Sequence, residues 1–202
     1  MNLLQEYVKE LLVEAKLEMG QQRLPLDDAK KMAREVIDLL GLSYLDPSNV
    51  SMDTPFRTAV AIPVGSIRRN KESVGDIDIL STVQVSRSDV EMLPGASDVS
   101  GAAKRIDFTY TPTDSDGTPR PDLRRKINIF HHFNPLTWGA ALLAYSGPFV
   151  YNVRLRNTAK KKLNGKLSDL GLFDATGELI PTPTERDVQV ALNVTERPPE
   201  KR

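Results

Sequence analysis

Apolar residues recur at helical spacing early in the chain, at Leu3, Leu4, Tyr7, Val8, Leu11, Leu12 and Ala15, with Glu and Lys between them. Gly20-Gln21-Gln22 interrupts that pattern. A second helix is predicted from Pro25, whose fixed φ and missing N–H suit a first helical turn. Asp27 and Asp28 stand in that turn, Gly41 follows the end, and Ala29, Met32, Ala33, Val36, Ile37 and Leu40 form one apolar stripe. Residues 41–56 read as a polar connector. Residues 58–64 and 76–84 read as strands, and 86–103 as loop. Two β-type runs, 105–111 and 124–131, flank the turn sequence Asp114-Ser115-Asp116-Gly117-Thr118-Pro119 and predict a long hairpin. From Pro135 a helix covers 136–145 and breaks at Gly147-Pro148. A basic helix follows over 149–163. A short β-rich stretch near 170–180 precedes a last helix, from Thr184 as N-cap to about Leu192. There is no internal repeat, and the class is α+β.

With 40% hydrophobic and 27% charged residues, the chain has the make-up of a globular protein. It has no cysteine, which excludes disulfides and thiolate-bound zinc and fits a reducing compartment. No apolar run approaches about 18 residues, so no membrane-spanning helix and no membrane partner are expected. The first residues lack the basic-then-apolar plan of a signal peptide, and the expected location is cytoplasmic. Lys+Arg and Asp+Glu both number 27, for a net charge of zero. That balance argues against a nucleic-acid partner until the charges are placed. Residues 104–170 hold 12 basic and 5 acidic side chains, a surplus that the rest of the chain cancels. Such a block can meet phosphates in a chain that is neutral as a whole.

The stretch that carries chemistry is 64–80, V-G-S-I-R-R-N-K-E-S-V-G-D-I-D-I-L. Read as strand, turn, short helix and strand, it has the parts of a phosphate cradle. Gly65 lets the backbone turn and approach a ligand. Ser66 brings a hydroxyl and an N–H where a helix begins, and Arg69 lies one turn on, in reach of the same phosphate. Asp76 and Asp78, one residue apart on a strand, point to one face. Two carboxylates held together repel unless a cation sits between them, and hard oxygen ligands suit Mg²⁺ or Mn²⁺. A triphosphate cradle next to a metal pair implies nucleotidyl transfer.

On these residues the chain resembles the family X DNA polymerases, the group of DNA polymerase beta, over about residues 20–202. The upstream segment Q-R-L-P-L-D-D-A looks like the family's helix start, and Arg23 matches an arginine that reaches the triphosphate. The resemblance extends triphosphate binding to Gly75, in G-D-x-D. Downstream, L-L-A-Y-S-G-P-F-V-Y-N-V-R-L-R is similar to the family's sugar-contacting segment and the helix after it. There Tyr145, Ser146 and Gly147 match the steric gate, Asn152 the residue that touches the incoming base, and Arg156 one near the template. What this implies is a nucleotidyltransferase palm with a mixed β-sheet and a C-terminal helical thumb. Residues 1–56 would form N-terminal helices akin to reduced fingers, 57–134 the catalytic palm and 135–202 the thumb. Only about twenty residues precede the matched region, so the expectation is a minimal form without a lyase domain or DNA clamps. The implied function is metal-dependent addition of dNTPs to a DNA 3′-OH, filling short gaps during repair or replication, in the cytoplasm of a host cell if the source is viral.

Two departures bear on the chemistry. In R-R-K-I-N-I-F, Asn128 stands where the family has a third metal-binding aspartate. Its carbonyl can still ligate, but it brings no negative charge and cannot act as a base. Ala144 stands where the family often has an aromatic. A compensating carboxylate is available if the hairpin pairs with residue numbers summing to 235, which sets Asp107 opposite Asn128; a sum of 234 turns it away. Two other functions therefore stay open. One is a catalytically impaired relative that binds nucleotide or DNA or serves structurally; the other is template-independent addition to a 3′ end.

Residues 154–166, R-L-R-N-T-A-K-K-K-L-N-G-K, hold six basic side chains and no acidic one. Arg154, Lys160, Lys161 and Lys162 are candidates for tracking the phosphates of primer–template or gapped duplex DNA. His131 and His132 are adjacent on a strand and so point to opposite faces, which favours packing over chelation. Trp138 reads as core. The N-terminal helix reads as a packing element, with docking of a protein partner as the alternative.

Overall fold

The computed structural model describes residues 23–47 and 59–202. The helix expected over the first fifteen residues, with its partner-docking alternative, lies outside them, as does part of the 41–56 connector. The described chain opens with β1 (Leu24–Pro25) and α1 (Leu26–Leu39), with Pro25 in the N-cap position and Asp27 and Asp28 in the first turn. Ala29, Met32, Ala33, Val36 and Ile37 are the buried face of α1, at the spacing the sequence sets. Then come β2 (Ser43–Tyr44), β3 (Val60–Pro63), α2 (Gly65–Arg68), β4 (Ser73–Val74) and β5 (Ile77–Ser81). β1 pairs with β4 in a two-stranded ribbon that brings Arg23 alongside Ser73.

Residues 86–103, read as loop, contain α3 (Arg87–Glu91) and β6 (Ala96–Ala102). α3 is fixed by a capping box in which Ser86 Oγ accepts from the Asp89 N–H while Asp89 accepts from the Ser86 N–H. β6 gives no hydrophobic alternation because it is an edge strand with only Ala96 and Val99 partly buried. It pairs with β7 (Arg105–Tyr110), which forms the expected hairpin with β8 (Arg125–His131). The main sheet runs β2-β3-β5-β8-β7-β6 and is mixed, with β2–β3 and β5–β8 parallel and the other pairs antiparallel.

The two faces of this sheet have different fates. Ile77, Ile79, Ile106, Phe108, Ile127 and Ile129 point to one side, where α1 and α3 cover them in the largest core cluster. Residues 1–56 were grouped from sequence as a region of their own; α1, the described helix in that group, shares this core with the sheet. On the other side, Ile62, Val64 and Leu80 meet Trp138, Ala141 and Leu142 of α4 (Trp138–Ser146). Two residues before Leu80 the same face carries Asp78, so apolar cover ends where the acidic side chains begin.

α4 is apolar on nearly every side because it has two neighbours. Trp138, Ala141 and Leu142 face the sheet, while Ala140 and Leu143 belong to the core of the C-terminal part. That second core gathers α5 (Phe149–Leu163), a small antiparallel sheet of β9 (Lys166–Ser168), β10 (Gly171–Phe173) and β11 (Leu179–Ile180), and α6 (Glu185–Ala191). A cis Gly147–Pro148 bond joins α4 to α5. Thr184 caps α6 in a second capping box with Asp187. The architecture is a mixed-sheet palm followed by a helical thumb.

The two parts are joined by a buried ion cluster that the sequence reading did not identify. Arg68, at the end of α2, donates through both terminal nitrogens to Glu185 at 2.7 Å each, and through one of them to Ser146 Oγ at 2.7 Å. Arg202, with its side chain 1% exposed, donates to the same carboxylate at 2.8 Å and lies over the Tyr151 ring. Burial alone would raise the Glu185 pKa, but the two guanidinium groups outweigh it and pull the group down to about 2.

Acid should therefore loosen this joint in a defined window. A depressed pKa gives stability that is complete above the ordinary value of 4.5 and is lost as pH falls toward about 2. Glu185→Gln should unfold earlier than the parent near neutral pH, because it leaves two buried cations uncompensated. That gap should close as pH drops through the window; a gap that stays constant in melting curves from pH 7 to 2 would contradict this assignment.

Candidate functional site

A cleft of about 630 Å³ lies between the open face of the sheet and the start of the thumb, within the size range of small-molecule sites. Its walls include Gly65, Ser66, Arg69, Asp78, Tyr145, Gly147, Asn152 and Arg156, together with Arg105 and Ala144. Residues far apart in sequence are brought to one cavity because β3, α2 and β5 supply one wall and the α4–α5 corner the other.

Gly65 has φ +57°, a conformation that side chains disfavour, and a Cβ there would come 2.3 Å from Asp78 Oδ2. The backbone and the carboxylate are thus packed as closely as glycine allows. Arg69 donates to Ser66 Oγ at 3.3 Å and to the Ser146 carbonyl, so its guanidinium is steadied between the cradle and the thumb. Arg68 and Arg69 are adjacent yet face opposite tasks, since successive helical positions point about 100° apart. Gly75 differs from Gly65, because a Cβ there would meet nothing closer than Arg23 Nη1 at 3.8 Å. Arg23 donates to the Ser73 side chain and carbonyl, each at 3.0 Å, which sets it beside Gly75 and Asp76.

Asp78 and Asn128 are direct partners across the parallel β5–β8 pair, and Asn128 and Asp107 across the antiparallel β8–β7 pair. The hairpin sum is therefore 235. Three polar side chains stand in a row across three adjacent strands on one face, with Asp76 just ahead of β5. Within the row, Asn128 Nδ2 donates to Asp78 Oδ1 at 2.8 Å. Asp107 does not join the carboxylate pair as a free ligand, because Arg105 donates to it and, at 3.1 Å, to Asn128 Oδ1. Among the described residues no group of three or more His, Asp or Glu side chains is arranged to hold a metal ion.

Burial raises Asp78 to about 6, with Asp76 pushing the same way and the Asn128 bond and nearby arginines only partly opposing it. Asp76 is also raised, by burial first, against Lys126, Arg105 and Arg23. A buried carboxylate left short of positive charge, beside a second carboxylate and a glycine with no Cβ, fits a divalent cation that also touches a phosphate. Position 128 does not fit one, because the amide presents a donor to Asp78.

The remaining residues divide by contact. Tyr145 stacks on Phe130 with centroids 4.3 Å apart and donates its hydroxyl to Asp169 at 3.1 Å. The Ser146 hydroxyl is buried and accepts from Arg68, so it faces the ion cluster and not the cavity. Asn152 donates to the Ala144 carbonyl at 2.8 Å. Arg156 and Lys160 continue the Asn152 stripe of α5 at four-residue spacing, both exposed. Arg154 and Lys161 are exposed on other faces of the helix. Lys162 is different, donating to the carbonyls of Leu192 and Asn193 at 3.0 and 2.8 Å and so capping the end of α6. His131 donates from Nδ1 to the Ala103 carbonyl and accepts at Nε2 from the Val85 N–H, and His132 bonds near Thr137. Burial lowers both imidazole pKa values. Trp138 is 2% exposed in the core between sheet and thumb.

Sequence reasoning missed Arg68, Arg105, Phe130, Asp169, Glu185 and Arg202. The double arginine of the motif was a usable signal, since one short helix turn cannot aim both at one phosphate. The long-range pairs left no local trace.

Residues 141–202 match the family model described as DNA polymerase beta thumb. A comparison with curated proteins finds no significant match. The thumb match supports a relationship to the family X polymerases and, with it, DNA binding. No described helix is long and apolar enough to cross a membrane.

Gly65→Ala tests the close packing of the cradle. The added methyl must displace Asp78 or α2, so Mn²⁺ binding measured with a nucleoside triphosphate should weaken at least tenfold, which is about 1.4 kcal/mol. Unchanged Mn²⁺ affinity would mean that the Gly65–Asp78 approach is not part of the binding surface.

Proposed function

We propose that this protein binds DNA and a deoxynucleoside triphosphate and transfers the nucleotide to a DNA 3′-hydroxyl, filling short gaps, at a rate held down by Asn128. The observation that carries this reading is one cavity that combines the Gly65-Ser66-Arg69 cradle with Asp78 and opens onto a thumb resembling that of DNA polymerase beta. Ser66, Arg69 and the Gly65 backbone would hold the triphosphate, with Arg23 and Gly75 at its margin. Asp76 and Asp78 would hold Mg²⁺ or Mn²⁺, which supplies charge neutralisation at the phosphates when bound. Tyr145 and Gly147 would face the sugar, Asn152 the base and Arg156 the template. The DNA backbone would run past Arg154, Lys160 and Lys161.

Asn128 supplies neither charge nor a base at the acceptor hydroxyl. Loss of one such electrostatic group lowers rates by roughly 10²–10³. The hydrogen bond that the Asn128 amide donates to Asp78 also favours a second reading, a relative that binds DNA and nucleotide without turning them over.

Primer extension separates the two. With Mg²⁺ or Mn²⁺ the parent should extend a gapped duplex slowly, and Asn128→Asp should be faster by roughly 10²–10³. Equal rates would remove the third carboxylate from the account. No extension by either protein, with DNA still bound, would favour the silent relative; extension without a template strand would point to terminal addition.

Neutralising Lys160 and Lys161 together should weaken DNA binding and reduce the salt slope by about two. Lys162→Ala should lower the melting temperature instead, through the lost cap on α6. Loss of DNA affinity on Lys162→Ala without loss of stability would refute that division.

A further inference from the structure

The row of side chains on the open sheet face has two gaps, one between β5 and β8 and one between β8 and β7, with neighbouring strands about 4.8 Å apart. An acceptor at every position would leave both gaps suited to cations. Here each gap is filled by the protein. The Asn128 amide nitrogen fills the first by donating to Asp78 Oδ1 at 2.8 Å. The Arg105 guanidinium fills the second, donating to Asp107 and to Asn128 Oδ1.

The two are mechanically coupled. A guanidinium can only donate and a carboxylate can only accept, so the amide of Asn128 has one orientation that satisfies both neighbours. For the amide to ligate a cation beside Asp78 it must turn over, carbonyl toward the ion. Its NH₂ would then face the Arg105 N–H groups, donor against donor, at a site that is 5% exposed. The Arg105 side chain is 43% exposed and is held by its two acceptors and by the Phe130 ring at 5.1 Å, itself stacked on Tyr145. It cannot relieve the conflict by losing a proton, because guanidinium stays charged. Arg105 also lines the nucleotide cleft.

We infer that Arg105 is a specificity-determining residue for metal stoichiometry: it locks the Asn128 amide with its nitrogen toward Asp78, so that the cleft takes a single divalent cation with its nucleotide. This rests on the nucleotide-binding reading above. Substituting Arg105 frees the amide to turn and offer its carbonyl, which admits a second, weaker ion.

The test counts ions. Full-length protein is dialysed to equilibrium against Mn²⁺ and a deoxynucleoside triphosphate with an imido bridge between its α and β phosphates, and bound Mn²⁺ per bound nucleotide is measured. The parent should hold one ion per nucleotide. Arg105→Ala should rise toward two as Mn²⁺ increases, and Arg105→Ala with Asn128→Asp should reach two at lower Mn²⁺, with melting curves reporting that each is folded. Two ions per nucleotide in the parent overturn the inference and leave the nucleotide reading standing. One ion in a folded Arg105→Ala variant at every Mn²⁺ concentration also overturns it. Absence of nucleotide binding in the parent overturns the nucleotide reading, and this inference with it. Should Arg105→Ala not fold, Arg105→Met, which keeps an apolar stem beside Phe130, carries the same expectation and the same overturning result.

Discussion

The arrangement of the cleft depends on one buried carboxylate, Glu185, shared by two arginines far apart in sequence, Arg68 and Arg202. Arg68 belongs to the short helix behind the cradle, Arg202 to the C-terminus, and Glu185 to the first turn of a thumb helix. A buried ion pair gives little net stability against an apolar alternative, but breaking one is expensive because a charge is stranded. Its effect here is therefore geometric. It fixes α2 against α6, and with Arg68 held on the thumb side, Arg69 is presented to the cavity. Ser146 completes the joint by taking a bond from Arg68 at its hydroxyl and from Arg69 at its carbonyl.

From that joint the chemistry of the sheet face follows. α4 covers Ile62, Val64 and Leu80 and stops there, leaving Asp78 at the wall of the cleft. Desolvation raises Asp78 because the cover is incomplete only on one side. An amide stands in the middle of the row, and a guanidinium bridges it to Asp107. The cleft is thus electrostatically partly satisfied by its own side chains, a different starting condition from three facing carboxylates.

Much of this was legible in the sequence where the cause is local. The α1 stripe, the Pro25 start, the Thr184 cap and the strand–helix–strand plan around Gly65 follow from periodicity and turn chemistry. The hairpin was legible too, but its register was not, since a long loop leaves both sums open and only the pairing of Asp107 with Asn128 decides. α3 and β6 were lost for opposite reasons. The Ser86–Asp89 box was present as a short pattern, whereas β6 has no buried face and so no alternation to read. Asn128 was visible as a missing carboxylate, yet the direction in which its amide points depends on Arg105, twenty-three positions away. The three lysines look alike in sequence; only the end of α6 distinguishes Lys162.

α4 carries a consequence for modularity. Its sides are divided between two cores, and Gly139 runs so close to the start of α6 that a Cβ would sit 2.0 Å from Thr184 backbone atoms. A helix shared in this way is a party wall. A fragment ending before it would leave Ile62, Val64 and Leu80 bare to water, and a fragment beginning with it would expose Trp138 and Leu142. Excising either half should thus yield a sticky, poorly folding piece. In this chain the palm and thumb share one helix between their cores, so an exchange of either half should carry that wall with it.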